Sequence, residues 1–311
     1  MKNNSSAIGI SSISLSTVSA RAQPHAGLLW GLLGVIAFAF TVPCTRIAVD
    51  AGLDPILIGG GRAVVAAALA TLTLGAVRVP FPTQRQWVRL IPVSLGVVVG
   101  FPVLTSLALP HTTAGHAAVV IGMLPAATAV VAALLTRERP SARFWCGAAL
   151  GVAATATFTL TAHGSLGGAG RADLYLVGAV VLAALGYAQG GLLSRELGSW
   201  QTICWALVLA APVMAAATAM TLAAHPPRVG ATGWVAFGYL AAISMFLGFF
   251  AWYRGLAIGP MTTVSQIQLG QPVLTVAISA VLLGESLTWP ILLGGAAVIA
   301  CAAVTVRARI R

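Results

Sequence analysis

The chain has 311 residues, of which 59% are hydrophobic and 7% charged, whereas a soluble globular domain carries about 25% charged residues. This composition excludes a water-soluble fold and indicates a protein that lies in a lipid bilayer. The 17 basic and 6 acidic residues do not indicate nucleic-acid binding, because the arginines are scattered through short loops and form no basic face.

Apolar stretches long enough to cross a membrane occupy most of the chain. A transmembrane helix needs about 20 apolar residues to cross a hydrocarbon core of roughly 30 Å. Residues 1–25 are rich in serine and are predicted to be a disordered cytoplasmic tail. Ten predicted spans follow, with connections too short to hold a soluble domain: Ala26–Val49, Pro55–Val77, Val88–Leu109, Thr112–Leu135, Ala142–Thr161, Leu174–Leu193, Trp200–Ala224, Thr232–Ala257, Met261–Leu283 and Trp289–Val306.

The distribution of basic residues predicts the orientation. With the N terminus inside, thirteen of the seventeen basic residues lie on the cytoplasmic side, as the positive-inside rule requires. Both termini are therefore predicted to be cytoplasmic. A single lysine against sixteen arginines suggests a GC-rich coding sequence and a bacterial inner membrane.

An internal repeat relates the two halves of the chain. A shift of 147 residues crosses five predicted helices, so the two copies have opposite orientations in the membrane. We therefore predict an all-α integral membrane protein of ten helices, built from two inverted five-helix repeats at 26–165 and 172–307. Inverted repeats are a recurrent basis of alternating access, although a duplication retained for folding alone would leave the same pattern. The matched pairs are Gly31 with Gly178, Leu109 with Leu256, Pro125 with Pro272, Thr128 with Thr275, Glu138 with Glu285, and Gly147 with Gly294.

The repeated segments resemble EamA-type permeases of the drug/metabolite transporter superfamily. That resemblance implies two five-helix repeats and export or exchange of small metabolites or drugs around a central cavity. The second copy departs from the first, with Leu209 opposite Arg62 and Leu193 opposite Arg46, which puts a symmetric binding site in doubt. The resemblance rests on 108–151 with Ala114, Pro125, Leu135, Glu138 and Gly147, on its second copy at 256–295, and on Gly59-Gly60-Gly61-Arg62 after Trp30 and Pro43.

Polar side chains in the ninth span are the first candidates for a solute pathway. Ser265, Gln268 and Gln271 fall along one inclined helix face. They either line a cavity and hydrogen-bond a polar solute or bond to neighbouring helices. Further candidates are Tyr187 and Gln189 of the sixth span, with Trp252 and Tyr253 of the eighth. They either complete an aromatic and polar cavity or serve only in packing.

Two basic side chains inside predicted spans are further candidates. Arg62 either attracts an anion to the cavity or snorkels to the interface and pairs with Asp50 or Asp54. His116 is the only histidine within a predicted span, and no acidic residue falls in the middle of one. We therefore expect facilitated diffusion or exchange, unless His116 or a glutamate at a span end carries a proton.

The matched prolines and glutamates suggest conformational roles. Pro125 and Pro272 remove a backbone donor and should bend the fourth and ninth helices, either as hinges or as static kinks. Glu138 and Glu285 lie at equivalent span ends and either gate the pathway or cap a helix or pair locally with arginine.

The sequence contains no nucleophile–base pair, metal-ligand spacing or cofactor motif, and no filter or charged ring typical of a channel. We therefore expect no enzyme, no metal and no cofactor. The sequence favours a secondary transporter that moves a small solute by efflux or exchange; the alternative is a membrane-embedded interaction or assembly protein. Its expected partners are the solute and the bilayer, not nucleic acid, while Gly147 and Gly151 permit close helix approach within the bundle or across a homodimer.

Overall fold

The computed structural model describes residues 24–137, 140–162, 170–258, 264 and 267–308. Ser265, Glu138 and the predicted tail up to residue 23 lie outside these ranges. All regular elements within the described ranges are helical, which confirms the all-α prediction for that part of the chain. The helices are α1 His25–Asp50, α2 Leu57–Val77, α3 Gln84–His111, α4 Ala114–Thr136, α5 Ala142–Ala162, α6 Arg171–Leu197, α7 Ser199–Ala224, α8 Ala231–Ile258, α9 Gln268–Leu283 and α10 Trp289–Ala308.

Seven of the described helices are long and apolar enough to cross a membrane: α1, α2, α3, α4, α6, α7 and α8. The described parts of α9 and α10 are apolar and shorter. Large apolar side chains such as Leu72, Met220 and Val281 are exposed on the outer surface, where only lipid would cover them favourably. The protein is therefore a multi-pass integral membrane protein, while the count of ten spans remains a prediction.

The sixth helix begins earlier than the sequence predicted. The predicted span starts at Leu174, but α6 starts at Arg171 because Gly170 occupies the N-cap position. The carboxylate of Asp173 accepts a hydrogen bond of 3.0 Å from the Gly170 N–H, which stabilises the first turn. Asp173 therefore lies inside a helix and not in a loop.

Glycines allow the closest helix crossings. A Cβ on Gly96 of α3 would lie 2.8 Å from the backbone nitrogen of Gly186 in α6, and one on Gly255 of α8 would lie 2.7 Å from that of Gly31 in α1. Such contacts require residues without a side chain. The helix pairs α2–α7, α4–α9 and α5–α10 also pack together. In α5, Gly147 approaches Thr305 and Gly151 approaches Met123, so their close approach lies within the bundle.

Several local irregularities recur 147 residues apart. Wider, π-helical turns occur at Ser94–Gly100 in α3 and at Tyr239–Leu247 in α8. Arg137 and Gly284, which follow α4 and α9, both have left-handed backbone conformations. A third π-helical turn, Leu57–Gly61 in α2, directly precedes Arg62 and has no counterpart in α7.

Both helices with a matched proline are interrupted just before it. In α4 the amides of Gly122 and Met123 bond to carbonyls three residues back, at 3.1 and 3.2 Å, before α-helical turns resume. In α9 a 3₁₀ turn at Gln268–Gly270 precedes the α-helical part. Because proline has no N–H to donate, the regular bonding pattern stops at these points.

Candidate functional site

A central cavity lies between six of the long helices and α9. Its free volume is about 20 Å³, which is room for about one water molecule, so the cavity is nearly closed in this conformation. A second cavity of about 10 Å³ adjoins it between α1, α4 and α9. Val42, Leu124 and Gln271 line both cavities. The central cavity is lined by Phe38, Thr41, Val42, Arg62, Val97, Phe101, Pro102, Leu124, Tyr187, Ser244, Met245, Phe249 and Gln271.

Both cavities are lined by equivalent positions of the two halves. In the second cavity, three pairs of lining residues are 147 positions apart: Ile121 with Gln268, Leu124 with Gln271, and Pro125 with Pro272. In the central cavity, Val97 pairs with Ser244 and Pro102 with Phe249 in the same way. The cavities therefore lie where the two halves of the chain meet. Three of these pairs join an apolar residue to a polar one, and in each the polar residue belongs to the second half: Gln268, Gln271 and Ser244.

The two glutamines of α9 face this region. Gln268 and Gln271 are 3% and 8% exposed, and each amide retains a buried polar atom that has no partner among the described residues. A buried polar group without a partner costs about 1–3 kcal/mol. Within the described chain these atoms are thus not used to bond neighbouring helices, and they are available to a polar solute or to water.

Among the described residues, Arg62 is the only basic one that lines the central cavity. Its side chain is 1% exposed, and its Nε and Nη2 have no partner within the described chain. The side chain does not snorkel to the interface, because it does not reach the surface. It does not pair with Asp50 or Asp54 either, because both aspartates have other partners. Asp50 pairs with Arg46 at 2.9 Å, and Asp54 accepts the amides of Ile56 and Leu57.

An aromatic cluster formed by Phe38, Tyr187, Phe249 and Trp252 borders the cavity. Ring centroids of Phe38 and Phe249 lie 4.9 Å apart, and those of Tyr187 and Trp252 lie 6.3 Å apart. Tyr187 lines the cavity, whereas Trp252 packs behind it. Gln189 is half-buried on α6 and lines neither cavity.

Thr41 and Ser244 were not singled out from the sequence. Their hydroxyl oxygens lie 2.7 Å apart and join α1 to α8 at the cavity wall. Both are isolated small polar residues inside apolar spans, which is a weak signal because such hydroxyls can bond to their own helix backbone.

His116 lines neither cavity. Its Nε2 is 2.7 Å from Oδ1 of Asp173, both side chains are buried, and the imidazole stacks on Phe158. The contact joins α4 to α6. No cluster of three or more histidine, cysteine or acidic side chains that could hold a metal occurs in the described ranges.

Glu285 binds a helix N-terminus and not an arginine. Its two carboxylate oxygens accept hydrogen bonds of 2.8 Å from the amides of Ala114 and Gly115, which lie in the first turn of α4. A carboxylate is favoured there by the helix dipole and the unpaired N–H groups. Arg46 donates to the carbonyls of Leu109 and Thr112 just before the same turn. We call this side of the bundle the Glu285 end.

Replacing Glu285 with glutamine should lower thermal stability. The amide keeps one acceptor but turns a donor toward an N–H group, so we expect a loss of about 1–2 kcal/mol. The unfolding midpoint of the purified protein in detergent measures it. Glu196→Gln is the matched control, because its exposed ion pair with Arg89 contributes about 0–1 kcal/mol. Equal midpoints for the two variants would show that the Glu285 contact does not stabilise α4.

Comparisons with known proteins support a membrane transporter. The sequence profile described as "EamA-like transporter family" matches residues 25–160 and again 170–307. A Bacillus subtilis (strain 168) protein named "Uncharacterized transporter YdeK" is 40% identical over 281 residues, which cover 90% of this chain and 97% of that protein. A solved crystal structure shares the fold with a TM-score of 0.64 at 18% identity, covering 93% of this chain and 99% of that one.

Proposed function

The chain belongs to the EamA-like transporter family, and we propose that it is a secondary transporter that moves a small metabolite or drug-like solute by alternating access. The observation that carries this proposal is the pair of joined cavities, where equivalent positions of both halves meet and buried polar side chains have no partner in the described chain. Polar groups are retained inside a membrane protein where they serve a pathway. The solute would bind here at mid-membrane and leave by efflux or exchange.

The moving parts in this proposal are two inverted five-helix repeats, 26–165 and 172–307, which give ten spans in all. The repeat is supported by features that recur 147 residues apart: the interrupted helices, the π-helical turns and the left-handed residues after α4 and α9. It is also supported by the helix crossings, because α1 crosses α8 as α6 crosses α3. Two similar halves that exchange conformations would open the cavity to each side in turn.

The gates in this proposal are the glutamates at the ends of the fourth and ninth spans. The contact of Glu285 with the first turn of α4 joins the two halves at the Glu285 end, which supports a closed gate there. Opening that end would release this contact. Glu138 lies outside the described residues, and we assign it the equivalent gate at the other end from its matched position alone.

The proposal places the protein in a bacterial inner membrane with both termini cytoplasmic, on the basis of its arginine distribution. The Glu285 end then faces outward. Transport proceeds by exchange or facilitated diffusion, because no described side chain in the two linings is suited to carry a proton. Arg62 is the one charged side chain among the described lining residues, and the His116–Asp173 pair belongs to neither lining.

The alternative is a membrane-embedded assembly protein without transport activity. Counterflow into proteoliposomes distinguishes the two: vesicles containing only the purified protein are loaded with a mixed metabolite extract, and uptake of isotope-labelled extract is read by mass spectrometry. We expect accumulation of one solute class above protein-free vesicles. Vesicles that accumulate no solute, although the protein is folded and correctly inserted, would favour the assembly protein.

The matched prolines provide a test of hinge motion. Pro125→Ala and Pro272→Ala would restore backbone hydrogen bonds across the interrupted turns and stiffen α4 and α9, so we expect turnover in the exchange assay to fall about threefold to tenfold while half-saturation changes little. Pro212→Ala in α7 is the matched control, because that proline is exposed and lines neither cavity. Normal turnover in both hinge variants would mean that the prolines are static kinks.

A further inference from the structure

We propose that the transported solute is an organic monocarboxylate whose carboxylate binds Arg62 and whose apolar part packs against the aromatic cluster. This inference rests on the proposed transport function and names the class of solute that the central cavity takes.

The free edge of Arg62 has the geometry of a carboxylate site. The two nitrogens without partners in the described chain are Nε and Nη2, which lie on the same side of the planar guanidinium and point their N–H bonds in one direction. This edge binds both oxygens of a carboxylate in parallel, with a strength and specificity that a single charge does not provide. The side chain is buried and Arg62 lines the cavity, so a solute that enters the cavity comes into contact with this side chain.

No described acidic side chain supplies the missing negative charge. The sequence has six acidic residues, of which Glu138 lies outside the described ranges. The other five are all engaged at other places: Asp50 with Arg46, Asp54 with the amides of Ile56 and Leu57, Asp173 with His116, Glu196 with Arg89, and Glu285 with the amides of Ala114 and Gly115.

A buried cation without a counter-charge is strongly unfavourable, at several kcal/mol even after the protein relaxes. A bound carboxylate provides both the charge and the hydrogen-bond acceptors that this edge needs. Because one guanidinium lines the cavity and no acidic residue does, a single negative charge balances the site. A dianion would leave one charge uncompensated, and an ammonium group on the solute would find no carboxylate.

The remaining walls indicate what is attached to the carboxylate. Phe38, Tyr187 and Phe249 line the cavity with their rings in mutual contact, at centroid separations of 4.9 to 6.4 Å. Such rings favour an aromatic or branched apolar group. The amide oxygen of Gln271 has no partner in the described chain and accepts a hydrogen bond from a donor, such as a hydroxyl on the solute or a water molecule. The chemistry of the lining therefore suits a small carboxylic acid with one apolar group, which binds when the conformational change of the transport cycle widens the cavity.

The test compares acids with their neutral amides of nearly identical shape. Thermal unfolding of the purified protein in chloride-free detergent buffer is measured with phenylacetate against phenylacetamide and with isovalerate against isovaleramide. We expect at least one acid at about 10 mM to raise the midpoint by roughly 2–4 °C, and its amide to have no effect. Arg62→Gln should lose this shift and Arg62→Lys should keep part of it. Arg85→Gln should behave as wild type, because this arginine is exposed and does not line the cavity.

A second readout separates ligand binding from a structural role. Without ligand, Arg62→Gln should unfold at a higher temperature than wild type, because it removes a buried charge that has no partner in the described chain; a structural arginine would give a lower midpoint. The proposal is overturned if acids and amides act equally, if no acid shifts the wild-type midpoint, or if the acid shift survives in Arg62→Gln. The transport function would then still stand wherever the counterflow assay detects exchange of neutral solutes.

Discussion

Gly96→Leu should prevent the bundle from folding. The Cβ of any larger residue at this position would lie 2.8 Å from the nitrogen and 2.9 Å from the Cα of Gly186 in α6. These are backbone atoms, so they cannot move aside by changing rotamer. The clash is relieved only if α3 and α6 move apart, and this separation removes the packing contacts around the Gly96–Gly186 crossing.

The expected loss is large for a membrane protein in detergent. Overpacking costs about 1–3 kcal/mol or more when the neighbour cannot adjust, and the whole leucine side chain would have to fit where not even its first carbon fits now. We expect the yield of monodisperse protein in size-exclusion chromatography to fall by about tenfold or more, with Gly96→Ala intermediate.

The control for this substitution is Gly238→Leu in α8. That glycine is exposed, and a Cβ on it would meet no neighbouring atom within 4 Å. Leucine also has the higher helix propensity, so the yield of this variant should equal or exceed that of wild type. If Gly96→Leu gave the same yield as this control, the close crossing of α3 and α6 would be wrong.

The second large effect is expected for the combined substitution Gln268→Leu and Gln271→Leu. Leucine preserves approximate size and apolar packing but removes both amides from the cavity wall. A polar solute that uses them loses its hydrogen bonds after having been desolvated, which costs about 1–3 kcal/mol per group. The half-saturation concentration for exchange should therefore rise by about tenfold or more.

The fold of this variant should not be weakened. Each amide has a buried polar atom without a partner in the described chain, so leucine removes an unfavourable group and the unfolding midpoint should stay the same or increase. This separates a solute-binding role from a structural one, because glutamines that bond neighbouring helices would lose stability on replacement. The exposed Gln84→Leu serves as the control for the change in residue type.

The parts of the fold that were predictable are those that depend on composition and repetition. Apolar stretches identified membrane-crossing helices because a bilayer demands about 20 apolar residues, and α1, α2 and α8 lie close to the predicted spans. The interrupted turns before Pro125 and Pro272 follow from the residue type, because the absence of a backbone donor acts locally. Gln268 and Gln271 stood out because polar side chains are rare in this chain.

What the sequence did not reveal depends on tertiary contacts. The sequence does not distinguish a phenylalanine that lines the cavity, such as Phe38, from one that is exposed on the outer surface, such as Phe81. Lipid and protein interior are equally apolar, so no amphipathic pattern separates inward from outward faces. Glu285 was expected either to cap a helix or to pair with an arginine, and the sequence did not distinguish the two. The structure shows a helix cap, whose partners are backbone amides about 170 residues earlier, at the start of α4.

Asp173 was missed because the predicted span began one residue too late to include it. Its contact with His116 joins two helices of different predicted repeats, and nothing in the local sequence of either residue indicates the other. Arg62 was noticed, but its isolation from Asp50 and Asp54 could be established only when the partners of both aspartates were known.

The central claim is that a small solute passes through the cavity where the two halves meet. The most direct test is counterflow into proteoliposomes that hold equal densities of wild-type protein, the Gln268→Leu/Gln271→Leu variant or Gln84→Leu. The account predicts exchange of a defined solute class by wild type and Gln84→Leu, and exchange lower by about tenfold or more in the double variant at low solute concentration. Equal exchange by all three proteins would contradict it and place the pathway elsewhere.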